Sequence, residues 1–408
     1  MTMKRVFKFT AAWLLALTAL LFSGCISSDL YLSGNTAPEA VLKVAAILPL
    51  TGKNRVFAEQ MAEGLKMAAH ELNLNSTTGR KSVQLKIFDS KGTPAGTAAA
   101  ANAAARWKAA GLIAGYSTSE VSEIIPYAVK FRMPVVIPLA TSNRHSEISP
   151  FVYRNSYTDA QQGDMLASYL MYWRQVKYIG IFVGGSGMDE YQSTIGREVA
   201  SVFKDIGGNV TLTRPVKVRP GKDDIMDMLK SDPEAIMLTF GGKDAAQTIR
   251  DLRKSGFTGI IFGADNWDDE ALISGLDNFI VGDCLYTAFF CDDEKVREYR
   301  DFKKAFRARF YHNPGACETQ SYDALRFLAF SLRNAENLPE FDRNWRKIRQ
   351  YQGASARYTM LPKGEVDRTI YVNSIGVRRS GDKLQPFARL TRKMQYSKLK
   401  EYRPEYYQ

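Results

Sequence analysis

Three histidines, four cysteines and two runs of consecutive acids are the side chains of this 408-residue chain best equipped for chemistry. His70, His145 and His312 would serve as metal ligands if they shared a ligand spacing, but they fall on a helical stretch, in a loop and before a proline turn, with no such spacing among them. Gly184-Gly185-Ser186-Gly187 would present a nucleophilic serine only with a glycine two residues past Ser186, and Met188 stands there. Gly242-Lys243 would close a phosphate-cradling loop only with Ser or Thr next, and Asp244 follows. Asp268-Asp269-Glu270 and Asp292-Asp293-Glu294 read as loop or helix-start acids rather than an acid–base pair. Four cysteines are too few for a disulfide scaffold or a zinc ribbon. Nothing here supports catalysis, and neither a cofactor nor a metal is expected.

The elements that carry these residues belong to a globular body. Apolar residues are 45% and charged residues 24%, and the length suits two domains with ample core. The formal charge is +12, yet its distribution is uneven. Lys4, Arg5 and Lys8 supply three of the charges, and nine basic residues against three acidic ones beyond Val377 supply six more. Residues 378–408 therefore read as a basic tail, either solvated or facing anionic lipid or a partner. Nucleic acid is rejected as a partner, because this is the only basic segment and the chain reads as exported.

Export is written in the first forty residues. Behind the basic start, Thr10 to Phe22 is an apolar run too short to span a bilayer comfortably, ending in small residues, so residues 1–24 read as a signal peptide. Phe22-Ser23-Gly24-Cys25 resembles a bacterial lipobox, in which Cys25 would be lipidated and become the new N-terminus. The alternative is ordinary cleavage near Ser23 with Cys25 incidental. Residues 25–40 are polar and rich in Ser, Gly and Pro, and read as a tether reaching about 20–25 Å.

From Leu42 onward, short β-branched runs alternate with amphipathic helical stretches. Strands are expected at Val44–Leu48, Val83–Phe88, Leu112–Ala114, Val135–Pro138, Tyr178–Val183, Ile236–Thr239 and Ile260–Gly263. Met61, Leu65, Ala68 and Leu72 share one helical face, as do Ile195, Val199, Val202 and Ile206. Val296, Tyr299, Phe302, Phe306 and Phe310 form an aromatic stripe that reads as a core face. Such alternation means α/β architecture with parallel sheets, whose ligands bind beyond the carboxyl ends of the strands.

Several stretches occupy those ends in order. Pro49-Leu50-Thr51-Gly52 follows the first strand, and Phe88-Asp89 ends the second. Gly115-Tyr116-Ser117-Thr118-Ser119 follows the third strand, and Pro138-Leu139-Ala140-Thr141 the fourth. Arg154 and Asp159, Asp189-Glu190-Tyr191 and Ser321-Tyr322-Asp323-Ala324 come later. With them, the body from about Leu42 to Val377 resembles the type I periplasmic binding proteins of the branched-chain amino-acid class.

That resemblance implies two Rossmann-like lobes with parallel sheets, joined by three crossing segments and closing over a ligand. Lobe 1 would be 41–158 plus 287–358, and lobe 2 would be 159–286 plus 359–377. It also implies a site. Ser119 matches a carboxylate-binding serine, Thr141 a further headgroup contact, and Leu139 and Ala140 would offer backbone atoms. Asp265 matches an acid that pairs with the ligand ammonium, and Tyr191 an aromatic that closes the pocket. Phe57 and Trp267 would be walls, or else pack under loops; Ser119 and Thr141 suit helix N-caps equally well. Arg144 would bring a positive charge near the cleft, and Cys317 would line the pocket or pair with Cys284 or Cys291. The implied function is a non-catalytic receptor that captures an amino acid or similar small polar metabolite for an ABC permease, held to the membrane by its lipid. A tethered regulator of an envelope enzyme and a sensory receptor are the alternatives on the same fold.

Overall fold

The computed structural model describes residues 40–74, 81–185, 190–279, 281–399 and 401. The signal peptide, Cys25 and nearly all of the tether lie outside the described residues. Among the described residues no helix is long and apolar enough to cross a membrane.

Two sheets organise the chain. The first is all parallel and five-stranded, in the order β2 (Lys81–Asp89), β1 (Ala40–Leu48), β3 (Gly111–Ile113), β4 (Val135–Ile137), β5 (Val152–Arg154). Helices α1 (Arg55–Leu74), α2 (Pro94–Arg106), α3 (Thr118–Lys130) and the short α4 (His145–Ile148) connect its strands. The second is nine-stranded. Its parallel part runs β7 (Asn209–Val216), β6 (Tyr178–Gly184), β8 (Ala235–Leu238), β9 (Ile260–Gly263), β10 (Cys284–Ala288). Its crossovers are α6 (Glu190–Asp205), α7 (Lys222–Lys230), α8 (Gly242–Lys254) and α9 (Glu270–Gly275), while α5 (Asp159–Ser168) leads in from the first lobe. All seven expected strands are present. Among the parallel strands, those the alternation missed are β5, only three residues long, β7, which carries polar residues at alternate positions, and β10.

After β10 the chain returns to the first lobe through α10 (Arg297–Phe310), α11 (Ala316–Leu332) and α12 (Leu338–Trp345). The stripe Tyr299, Phe302 and Phe306 is buried, as a core face should be. Helix α11 approaches α1 so closely that a Cβ on Gly64 would sit 2.1 Å from the Glu318 carbonyl oxygen, so only glycine fits there. The chain then forms β11 (Tyr351–Gln352), β12 (Arg357–Met360), β13 (Val366–Ser380), β14 (Lys383–Gln395) and a final turn α13 (Tyr396–Leu399). Strand β13 runs antiparallel to β10 and β12, so the second sheet is mixed. The lobe border expected at 358/359 falls inside β12, which pairs Tyr358 with Arg368 of β13.

The basic tail is a correction. Residues 378–395 are not a solvated extension but the outer part of a hairpin, with β14 paired to β13 from Thr369↔Gln395 to Ser380↔Lys383 around a Gly381-Asp382 turn. Gly381 takes φ +60, as such a turn needs. Strand β14 is an edge, which accommodates Pro386, and its Lys and Arg side chains discourage further strand pairing. The basicity therefore has a structural reason that net charge could not reveal.

The chain passes between the two sheets at 155–158, from β5 to α5, at 289–296, from β10 to α10, and after α12, before β11. One residue ties the first two passages together. Arg368 is fully buried; its Nη1 donates to the Asn155 carbonyl at 2.9 Å and its Nη2 to the Phe289 carbonyl. The guanidinium also lies over Tyr157, Phe289 and Tyr358, at 5.4, 5.5 and 5.1 Å from their ring centres. Replacing Arg368 by Met leaves two buried carbonyls without donors, at about 1–3 kcal/mol each. Urea unfolding of Arg368→Met should therefore show a loss of about 3 kcal/mol; a loss below about 1 kcal/mol would mean that water replaces the guanidinium without cost.

Candidate functional site

The loops after β3 and β4 build the first-lobe wall. Tyr116 stacks on Phe57, from the first turn of α1, with ring centres 4.2 Å apart and planes 2° off parallel. Ser117, not Ser119, is the N-cap of α3: its Oγ accepts from the Glu120 amide, and Glu120 accepts in return from the Tyr116 and Ser117 amides at 2.9 and 3.2 Å. Ser119 is exposed, its hydroxyl 3.1 Å from that of Ser117. The two hydroxyls stand at the amino end of a 13-residue helix, where orphan amides and the helix dipole favour an anion.

Leu139, Ala140 and Thr141 after β4 are all buried. The Ala140 carbonyl accepts from Ser156 Oγ at 2.9 Å, and the Thr141 carbonyl from the Asp159 amide at 2.8 Å. Thr141 therefore secures the start of α5 through its carbonyl.

Asp265 dominates the second-lobe wall. It begins a single 3-10 turn, Asp265–Trp267, directly after β9. Its Oδ1 accepts from Tyr191 Oη at 2.5 Å and from Gln162 Nε2 at 2.7 Å. Gln162 Nε2 is also 3.2 Å from Tyr157 Oη, and Tyr157 stacks on Phe289 at 4.3 Å. A polar chain thus runs from the hinge to the acid. Burial raises the Asp265 carboxyl above the usual range, while the bonds from Tyr191 and Gln162 oppose the rise.

Two more acids share this neighbourhood. Asp159, 1% exposed, has its Oδ1 without a hydrogen-bond partner, and burial pushes its carboxyl up to about 7. Burial, helped by Asp265 and Asp269, also brings Asp268 to about 7. The fully buried Arg154 donates from Nη2 to the Ser142 carbonyl at 2.8 Å and lies 3.8 Å from Glu365.

Two contacts fasten the rims together. Asn143 Nδ2 donates to Glu198 Oε1 at 3.2 Å, and Arg144 Nη1 pairs with Glu190 Oε1 at 3.1 Å, both partners in α6. Arg144 is thus a rim residue with an exposed partner.

Trp267 takes the second of its two expected placements, packed beneath the loops. It is fully buried, its Nε1 donates to the Phe240 carbonyl at 2.9 Å, and its ring lies flat against the backbone of Gly263, where a Cβ would come within 2.1 Å. It supports the Asp265 turn from below and lines no cleft. Cys284, Cys291 and Cys317 are all free thiols, and Cys317 is buried at the start of α11.

The sequence profile of the periplasmic binding proteins matches residues 41–376, most of the chain. The protein belongs to that family. A leucine-binding protein from Thermotoga maritima is 22% identical at a TM-score of 0.70, covering 87% of this chain and 99% of that one. A branched-chain amino-acid substrate-binding protein from Streptococcus pneumoniae, in complex with isoleucine, is 16% identical at 0.71, covering 86% and 100%. A solute-binding protein from Rhodopseudomonas palustris, in complex with 3,4-dihydroxybenzoic acid, is 15% identical at 0.69, covering 87% and 98%. No curated protein sequence matches this chain. These likenesses establish the two-lobed type I fold.

Within that fold, Phe57, Ser119, Tyr191 and Asp265 follow the carboxyl ends of β1, β3, β6 and β9, and Thr141 and Trp267 are buried. Sequence reasoning missed Gln162, Tyr157 and Asp268. Gln162 carries a weak signal, since it lies in the first turn of the helix that Thr158 and Gln161 cap. His312, which showed no ligand spacing, pairs with Glu63 at 2.8 Å, and that hydrogen bond helps raise its pKa.

The buried acids make the stability of the ligand-free protein pH-dependent. Folded Asp159 and Asp268 keep a proton that the unfolded chain loses above about pH 4, so stability falls as pH rises from about 4 to about 7 and is level beyond. Thermal unfolding should therefore give a higher Tm at pH 5 than at pH 7.5. Asp159→Asn, which keeps the neutral shape, should reduce that difference and leave the Asp268 share; an unchanged slope would remove Asp159 from the account.

Proposed function

We propose that the protein is a non-catalytic extracytoplasmic receptor that closes its lobes on an α-amino acid or a related small polar metabolite and delivers it to an ABC permease. Its family is that of the periplasmic binding proteins, and two of the structural relatives named above are in complex with small carboxylic acids, isoleucine and 3,4-dihydroxybenzoic acid. The observation that carries the amino-acid reading is the pairing of opposite walls. Asp265, held from behind by Tyr191 and Gln162, offers a buried carboxyl oxygen to an ammonium. The Ser117–Ser119 hydroxyls at the start of α3 offer donors to a carboxylate. Tyr116 and Phe57 supply the aromatic wall between them, where large rings exclude water on closure. Leu139 and Ala140, buried after β4, border the same wall.

Anchoring follows from Cys25: lipidation there would hold the receptor within tether reach of a membrane. In cells, Cys25→Ala should move the protein from the membrane to the soluble extracytoplasmic fraction. Retention in the membrane would overturn the anchor.

A thermal-shift screen of the purified protein against amino acids and small carboxylates tests the receptor reading. At 100 times its dissociation constant a ligand adds about 2.7 kcal/mol, a rise of several degrees. Asp265→Ala should abolish the response and Ser119→Ala should weaken binding about tenfold, as loss of one charged hydrogen bond does. A flat screen, or a response unchanged in Asp265→Ala, would sink the reading.

A further inference from the structure

Strand β1 begins at Ala40, so the tether from Cys25 meets the body at the amino-terminal edge of the first sheet. In a parallel sheet that edge also collects the carboxyl ends of the helices that feed the strands. Helix α2 ends there in Arg106-Trp107-Lys108 before β3, and α3 in Lys130-Phe131-Arg132 before β4. These two returns, 106–110 and 130–134, hold four cations and no acid, and all four cations are exposed. Helix α11 ends beside them, because Leu328 and Leu332 lie against Gly111, the first residue of β3. It adds the exposed Arg333, which with Arg343, Lys347 and Phe330 lines an open groove of about 540 Å³ that also holds Glu336 and Glu340. Among the described residues, no ion pair involves Arg106, Lys108, Lys130, Arg132 or Arg333.

Helix ends alone do not account for this edge. A cation in the last turn answers the helix dipole, and Arg106 and Lys130 sit there, but Lys108 and Arg132 lie beyond the helices. The same edge of the second sheet mixes its signs, with exposed Asp205, Asp232 and Glu234 beside Lys204 and Lys230. Apolar side chains accompany the cations of the first sheet. Phe131 is half-buried with Lys130 Nζ 5.2 Å from its ring centre, Phe330 is 41% exposed, and Leu74 at the end of α1 is 69% exposed. Long cationic side chains around such groups suit a bilayer headgroup layer, where the charges reach phosphates and the apolar groups rest at the boundary. We propose that this edge docks on an anionic phospholipid surface, with Arg106, Lys108, Lys130, Arg132 and Arg333 on the phosphates. The proposal rests on the Cys25 anchor for which end of the body the membrane holds. The carboxyl ends of β3 and β4, which carry the Tyr116–Ser119 wall, then point away from the bilayer, so docking leaves that wall open to ligand. At physiological ionic strength the face is largely screened, so it orients an anchored protein and does not retain an unanchored one.

The test is co-sedimentation of the Cys25→Ala protein with vesicles of phosphatidylglycerol and phosphatidylcholine in equal parts, and with vesicles of phosphatidylcholine alone. At about 50 mM salt it should bind the anionic vesicles at least about tenfold more tightly, and the difference should shrink toward about 300 mM as the charges are screened. Arg106→Gln, Lys130→Gln and Arg333→Gln should each weaken that binding about fivefold, the share of one basic residue at an anionic surface. Replacing Arg378 and Arg379 together by Gln, which removes two cations from the hairpin of the second sheet, should change it by no more than about twofold. Equal binding to both vesicle types, or binding to neither, would overturn the lipid surface. A loss confined to the hairpin variant would overturn the choice of face. The comparison of the two vesicle types decides even where a further variant folds poorly. Because the protein tested carries no lipid, failure here leaves the Cys25 anchor standing, and failure of the anchor in cells leaves the vesicle result standing.

Discussion

A single buried guanidinium holds the two lobes in register. Arg368 reaches from β13 to the carbonyls of the first and second crossings, and three aromatic rings surround it. Its charge is dispersed into carbonyl dipoles and π-faces instead of a carboxylate partner. The arrangement therefore depends on the 155–158 and 289–296 segments being in place together. Tyr157 belongs both to this cluster and to the chain through Gln162 to Asp265, so hinge geometry and site geometry are one network. In a low-dielectric interior such networks are worth more than their separate bonds, and a shift at the hinge is felt at the acid.

The second organising fact is the price of burying carboxyls. Asp159, Asp265 and Asp268 sit close together, and all are raised by burial. Protonation lets the empty site tolerate them, because a neutral carboxyl loses far less on desolvation than a carboxylate.

The β13–β14 hairpin shows how an addition to a common fold acquires a role. It widens the second sheet, presents a basic, proline-bearing edge, and walls a cavity that the strand ends alone would leave open to solvent. Its Lys393 also neutralises Asp293.

Much of the framework was legible in the residues themselves. Alternating β-branched runs and amphipathic stretches gave seven strands and the parallel α/β class, because each such pattern buries one face by its own local period. The aromatic stripe of α10 was readable as core for the same reason. The position of Asp265, Tyr191 and Ser119 at strand ends came from motif order, which preserves where loops face but not what each side chain touches. Only the tertiary structure decided the rest. It sent Trp267 into the core, tied the Thr141 carbonyl to the Asp159 amide, made Ser117 the cap in place of Ser119, and folded a basic tail into an edge hairpin. Each of those outcomes turns on contacts between residues distant in the chain, as when Arg368 meets Asn155 across 213 positions. Local pattern carries the energy of elements; it does not carry the partners that buried polar groups must find once the elements pack.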